Sequence, residues 1–267
     1  INRGGYPENK GYKVNDRSFD KAITSYLHGD WADFDRLFQI EMKEGSVAYS
    51  GAEHRGSPKL PNITVVPNWK TKESRGLPFS YIVMGCTMGH FHPKGEDEEH
   101  RVQEVYEFQS YGLMVLDKEN GRPEIWVARD GDKVAVPNRC HMTLYNLGDE
   151  NHPLITLDFA DPDRNPSNKD LIKRCGPILL IYYDDFEVTI VLNRLYVNNP
   201  GHSAGVRLSF TPSEDERRIK IPRAGRMDLG RFLYEELTGN PEVIGKIERL
   251  GLRIKKASPQ AVLKPTG

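Results

Sequence analysis

Gly112-Leu113-Met114-Val115-Leu116-Asp117-Lys118-Glu119-Asn120-Gly121-Arg122-Pro123-Glu124-Ile125-Trp126-Val127-Ala128 reads as two short apolar segments joined by a turn. Each segment is too short for a helix, and the Asn120-Gly121 pair supplies the positive-φ residues that a tight hairpin needs. The same texture repeats outward in both directions. Segments rich in Val, Ile, Leu and aromatics stand at 63–66, 79–85, 103–109, 133–137, 142–146, 153–159, 177–183 and 187–192. Turn chemistry separates several of them, as in Asp130-Gly131-Asp132 and Gly148-Asp149-Glu150-Asn151. Ten short strands with no strong helical period between them predict an all-β antiparallel sandwich or barrel, not parallel βαβ units.

The flanks differ. Residues 1–16 carry Gly, Asn and charge without an apolar period and read as an arm. Phe19, Ile23, Tyr26 and Leu27, then Trp31, Phe34, Leu37 and Phe38, predict two short helices broken near His28-Gly29-Asp30, followed by an irregular connection over 44–61. Past Asn193 a strand is expected at 206–210, then helices carrying Leu229, Phe232, Leu233 and Leu237 and carrying Val243, Ile244, Ile247 and Leu250, separated by Thr238-Gly239-Asn240-Pro241. The expected division is an N-terminal arm with helices (1–60), a barrel (61–196) and a C-terminal extension with two short helices (197–267). Arg217, Arg218, Lys220, Arg223 and Arg226 read as a solvated face, with an anion or partner site as the alternative.

The chain has 267 residues, with 37 Lys and Arg against 38 Asp and Glu, and so a formal net charge of −1. Such a balance gives no field for a polyphosphate, which argues against a nucleic-acid or polybasic membrane-surface protein. The apolar run 177–183 is far short of the ~20 residues of a helical span. Cys86, Cys140 and Cys175 lack CxxC spacing, so the expectation is a reducing, cytoplasmic protein without disulfides. The first residue is Ile1, which is compatible with a chain cut from a longer precursor. Neither a Gly-x-x-x-x-Gly-Lys nor a Gly-x-Gly-x-x-Gly pattern suggests a phosphate loop or dinucleotide site.

The residues that suggest chemistry are His90 and His92, then Glu104 and His141. On a strand, positions i and i+2 face the same way, so one strand can present two imidazoles. Glu104 from the next strand and His141 from a later one would complete a three-nitrogen, one-oxygen set suited to Mn, Fe, Ni or Zn more than to Ca or Mg. An isolated His-x-His also arises on a strand edge without a metal. Gly131 to Pro137, then His141 and Asn146, form a second, separately spaced signal. Trp69, Tyr81, Phe91, Tyr106, Phe108, Tyr111 and Tyr145 flank the site, either to stack on a ring or simply as core. Cys140 reads as a small buried filler.

Gly85, His90, His92, Glu104 and Gly112 resemble the first cupin motif, and Gly131, Pro137, His141 and Asn146 the second. Thr87-Met88-Gly89-His90-Phe91-His92, Glu104-Val105-Tyr106, Met114, Val136-Pro137 and Asn146-Leu147-Gly148-Asp149-Glu150 are similar to the cupin-type glucose-6-phosphate isomerases of archaea and some bacteria. The resemblance runs from about Phe79 to Tyr196. It implies a cupin double-stranded β-helix barrel holding a metal through His90, His92, Glu104 and His141. It further implies a sugar or sugar-phosphate substrate near Thr87 and Tyr106, Glu104 as the proton carrier between C2 and C1, and a homodimer. Alternatives are an Fe-dependent cupin oxygenase and a non-catalytic sugar-binding or regulatory cupin.

Three departures accompany it. The loop 93–103 is longer and acidic, so Glu98, Glu99 or His100 compete with Glu104. His141 stands four residues after Pro137 where the pattern has five, and a one-residue slip turns a side chain to the other face unless a bulge restores it. Residues 160–166 replace the sugar-binding Tyr and His residues of the isomerases, with Arg164 and Lys169 as candidate anion contacts.

Overall fold

The protein is described from a computed structural model, which covers residues 62–66, 68–70, 82–87, 90–92, 102–118, 121–149, 152–160, 178–192, 213, 215–223 and 228–260. The expected N-terminal helices, the strand at 206–210, the acidic loop 93–101, Arg164, Lys169 and Cys175 lie outside these residues.

The strands are β1 (Asn62–Val66), β2 (Trp69–Lys70), β3 (Ile82–Val83), β4 (His90–His92), β5 (Val102–Phe108), β6 (Gly112–Lys118), β7 (Glu124–Ala128), β8 (Lys133–Pro137), β9 (Cys140–Asn146), β10 (Leu154–Ala160), β11 (Leu179–Tyr183), β12 (Glu187–Leu192), β13 (Arg218–Pro222) and β14 (Arg253–Lys256). The helices are α1 (Leu229–Gly239) and α2 (Pro241–Arg249), between β13 and β14. Three sheets result, in the orders β1-β10-β5-β8, β14-β7-β6-β9-β4 and β13-β12-β11-β3-β2. Among the described strands every pairing is antiparallel except β14 on β7.

From β4 to β10 the chain passes repeatedly between the first two sheets, and their facing sides enclose a core of Tyr106, Phe108, Met114, Leu116, Val134, Val136, Cys140, Met142, Leu144 and Leu154. This is the jelly-roll order of a cupin-type β-barrel, as the sequence led one to expect. The other side of the β6-β9 sheet is equally apolar. Leu113, Val115, Ile125, Val127 and Tyr145 pack there against β11, β12, β13 and the helices. A sheet covered on both faces needs continuous apolar strands, which explains why β6 is buried from Gly112 to Asp117 instead of alternating.

β5 and β6 are joined through Gln109–Tyr111, and a Cβ on Gly112 would lie 2.7 Å from Leu154 Cδ1 and 2.8 Å from Phe108 Cε1. The Phe108 end of β5 therefore meets the Gly112 end of β6. It follows that the Glu104 end of β5 lies toward Leu116 and Lys118, the end of the barrel that carries Cys140, Met142 and β4.

The C-terminal segment returns to this barrel. Asp228 caps α1 by accepting from Arg231 N at 3.0 Å. Asn240 closes α1 and opens α2: its N–H donates to the Glu236 carbonyl, and its Oδ1 accepts from Glu242 N at 3.0 Å. Pro241 follows in the first turn, where its missing N–H costs nothing. β14 then adds to β7, with Arg253 opposite Glu124 and Lys255 opposite Trp126. The solvated reading of the basic cluster needs correction. Lys220 is exposed, but Arg217 is 1% exposed and donates from Nη1 to the Leu192 carbonyl at 3.3 Å. Arg218 opens β13, whose Ile219 and Ile221 are buried.

Candidate functional site

Residues directly opposite on antiparallel strands share a sheet face, so register decides which candidates meet. On β9, Cys140, Met142 and Leu144 belong to the barrel core. Tyr145 packs in the outer cluster, and its hydroxyl accepts the Leu179 N–H at 3.1 Å. His141 alternates with the inward residues and therefore stands on the outer face. It is 3% exposed there and opposite Asp117, itself 2% exposed.

The path into β4 contains a slip in register. Cys86 bridges Tyr145, and the Thr87 N–H donates to the Leu144 carbonyl. Continuing in step, His90 would stand opposite His141. Instead His90 pairs with Met142, Phe91 with His141 and His92 with Cys140. The register on β9 is thus offset by one residue between Cys86 and His90. By register His90 and His92 pair with Met142 and Cys140, both in the barrel core, and His141 pairs with Phe91.

The place five residues after Pro137 is held by Met142. Glu104 pairs with the core residue Val136 and is 1% exposed. Two residues on is Tyr106, also in the core and 3% exposed. Thr87 is 7% exposed, and its Oγ1 accepts the Leu144 N–H at 3.0 Å. Among the described residues no cluster of three or more His, Cys, Asp and Glu side chains is placed to hold a metal.

Asn146 has a structural role. Its Oδ1 accepts from Gly148 N at 2.8 Å and its Nδ2 donates to the His152 carbonyl at 3.0 Å, tying the turn after β9. Of the aromatics, Tyr106 and Phe108 fill the barrel, whereas Tyr145 packs outside it.

Sequence reasoning gave no role to Glu124, which sits at the end of the barrel that holds Cys140. Its Oε2 accepts from Lys118 Nζ and Trp126 Nε1, both at 3.1 Å, and its Oε1 lies 2.7 Å from Lys255 Nζ. Burial pushes this carboxyl up, but the bond from Lys255 and the charge of Lys118 outweigh it and hold Glu124 below its usual 4.5. Cys140, fully buried, has its thiol pushed well above 9 by burial and then by the nearby Asp117 charge. That agrees with the reading of Cys140 as a filler, not a nucleophile.

No family model and no curated protein sequence matches the chain. Solved structures that it resembles include hazelnut (Corylus avellana) vicilin, at 19% identity over 39% of this chain and 29% of that one, TM-score 0.21. A Drosophila melanogaster CENP-C cupin domain is 8% identical over 56% of this chain and 100% of that one, TM-score 0.25. A variant of Bacillus subtilis oxalate decarboxylase is 16% identical over 46% of this chain and 33% of that one, TM-score 0.26. The chain spans a third or less of the vicilin and the decarboxylase. A shared fold does not settle activity, which has to be argued from the site. The strand order and register described above are what identify the fold as a cupin-type all-β barrel.

Proposed function

We propose that this chain binds a sugar or sugar phosphate between the two facing sheets of the barrel, at Thr87, His90, His92, Glu104 and Tyr106, and acts on it as a metal-dependent aldose-ketose isomerase. What supports the reading is that Thr87 and, by strand register, His90 and His92 belong to one sheet of the barrel, and the buried Glu104 and Tyr106 to β5 of the facing sheet. Two imidazoles and a carboxylate are a sufficient donor set for a divalent transition metal with positions left open. His90, His92 and Glu104 would hold it, without His141. When bound, such a cation polarises a substrate carbonyl or hydroxyl oxygen as a Lewis acid. Glu104 is the inward carboxylate able to carry the proton between C2 and C1, and the Thr87 hydroxyl donates to a substrate oxygen. The enclosing core of Leu116, Val136 and Leu144 keeps water from the exchanged proton.

A second reading is a non-catalytic sugar-binding or regulatory cupin, and Met142 in place of the third imidazole is the observation that favours it. The test is metal analysis by plasma mass spectrometry on protein purified without added metal or a His tag, with aldose-ketose, oxygen-consumption and sugar-phosphate calorimetry assays. Stoichiometric metal that is lost in His90→Ala, His92→Ala and kept in His141→Ala, together with isomerisation, is the expected result. Oxygen uptake would assign the site to oxidative chemistry. Sugar binding without metal or turnover after reconstitution would leave the binding module.

A further inference from the structure

Three elements meet at one tyrosine on the outer side of the barrel wall. Ile125 and Val127 of β7 and Ile254 of β14 pack toward the helices, so Arg129, two residues past Val127, and Lys256, two past Ile254, come up on that same side. There the Arg129 guanidinium carbon lies 5.7 Å and the Lys256 Nζ 5.4 Å from the centre of the Tyr234 ring of α1. Hydrogen bonds fix both backbones: Arg129 N–H donates to Asp132 Oδ2 at 3.1 Å, and Ala257 N–H, next to Lys256, donates to the Val127 carbonyl at 2.9 Å. Tyr111 flanks the same ring, with 5.9 Å between centroids.

The charge here is not balanced. Lys133, Lys220, Arg231 and Lys246 each hold a carboxylate, whereas Arg129 and Lys256, both exposed, pair with none among the described residues. The Tyr234 side chain is 6% exposed, and its buried hydroxyl has no hydrogen-bond partner among the described residues, an arrangement a folded protein rarely keeps without a use. We propose that Arg129, Lys256 and Tyr234 bind the phosphate group of a small phosphate monoester. Two cations match a phosphate dianion better than a carboxylate, which carries one charge. The guanidinium fork takes two phosphate oxygens and the Lys256 ammonium a third, while the Tyr234 hydroxyl donates to the bound group directly or through one water. Because the three residues come from the barrel, β14 and α1, the bound phosphate fastens the C-terminal segment to the barrel wall. The site shares no residue with the isomerase reading and goes beyond it.

The experiment is calorimetric titration of the full chain with inorganic phosphate and with methyl phosphate, at constant ionic strength and about pH 7.5, where both are largely dianions, together with thermal unfolding in the same buffers. Saturable binding of both anions and a Tm raised by each are expected, since a ligand that binds only the folded chain stabilises it. Arg129→Gln and Lys256→Gln, exposed positions at which substitution leaves the fold intact, should each weaken binding about tenfold or more and remove most of the rise in Tm. Tyr234→Phe, which keeps the ring, should weaken it about three- to tenfold. Arg253→Gln, on the other face of β14, should change it less than about twofold, its charge being screened from the site. Unchanged affinity in both cation variants, a rise in Tm that chloride at the same ionic strength reproduces, or binding of inorganic phosphate without methyl phosphate would overturn the proposal. So would phosphate binding that is lost in His90→Ala, His92→Ala but kept in Arg129→Gln, because that phosphate would occupy the barrel site. Binding kept in His90→Ala, His92→Ala and lost in Arg129→Gln supports the outer site whether or not the chain isomerises a sugar.

Discussion

Glu124→Gln should destabilise the protein by about 2–3 kcal/mol at neutral pH, and the structure shows where that magnitude comes from. The carboxylate is 6% exposed and receives three donors, Lys118 and Trp126 on one oxygen and Lys255 on the other. Hydrogen bonds to charged groups contribute about 1.5–3 kcal/mol each, and stranding one member of a buried pair costs about 3–5 kcal/mol. Lys118 is 38% and Lys255 33% exposed, so both regain water when the carboxylate goes, and their share must be discounted for screening. Gln keeps one acceptor oxygen but turns its NH2 toward a lysine, which accounts for the remaining loss. Because Glu124 titrates below 4.5 in the folded chain, its contribution is fully present above that value and is lost as pH falls through the folded pKa. The stability difference between wild type and Glu124→Gln, from urea unfolding, should thus be constant from neutral pH down to about 5 and shrink below the usual Glu range. Hydrogen exchange of the β14 amides should accelerate in the variant, since Lys255 is that strand's polar tie to β7. A difference below about 0.5 kcal/mol at pH 7, the level of an ordinary surface substitution, would refute the reasoning.

Gly112→Ala should cost about 1–3 kcal/mol in thermal unfolding, because its Cβ would meet Leu154 and Phe108 at 2.7 and 2.8 Å in a filled core. Asn240→Ala should lower stability by about 1 kcal/mol or somewhat more, since this residue caps α2 and also bonds Glu236 Oε2 at 2.6 Å. Thiol labelling at pH 8 should leave Cys140 unmodified in the native protein, with its thiol buried and pushed well above 9, and labelling should appear only with global unfolding.

The barrel was legible because its strands are short, turn-bounded and rich in β-branched and aromatic residues. The runs predicted at 133–137 and 187–192 coincide with β8 and β12. β13 and β14 were missed for a physical reason. Their inward residues are few, and in Arg218-Ile219-Lys220-Ile221-Pro222 and Arg253-Ile254-Lys255-Lys256 cations dominate the composition while the pairing partner lies far away in sequence. Arg217 looked like part of a solvated face because charge patterning says nothing of a guanidinium that a distant Leu192 carbonyl receives. At the site, the spacing after Pro137 announced a slip at His141. The one-residue offset in register between Cys86 and His90 could not be seen in advance, since it exists only as a difference between two pairings with β9.

The parallel seam between β14 and β7 sets a direction for assembly. Without Arg253–Lys256, β7 would be an edge of its sheet, with its backbone groups open to any passing strand. Closing that edge joins Glu124 to Arg253 across nearly half the chain, a contact slow to form because so much sequence must first be ordered. A chain still emerging from the ribosome therefore holds a finished hairpin of β6 and β7 for some time with one flank bare, and truncation before Arg253 would make that condition permanent. The C-terminal strand acts as the last stave of the barrel's wall, and its late arrival makes the interval before it the period of greatest vulnerability to aggregation.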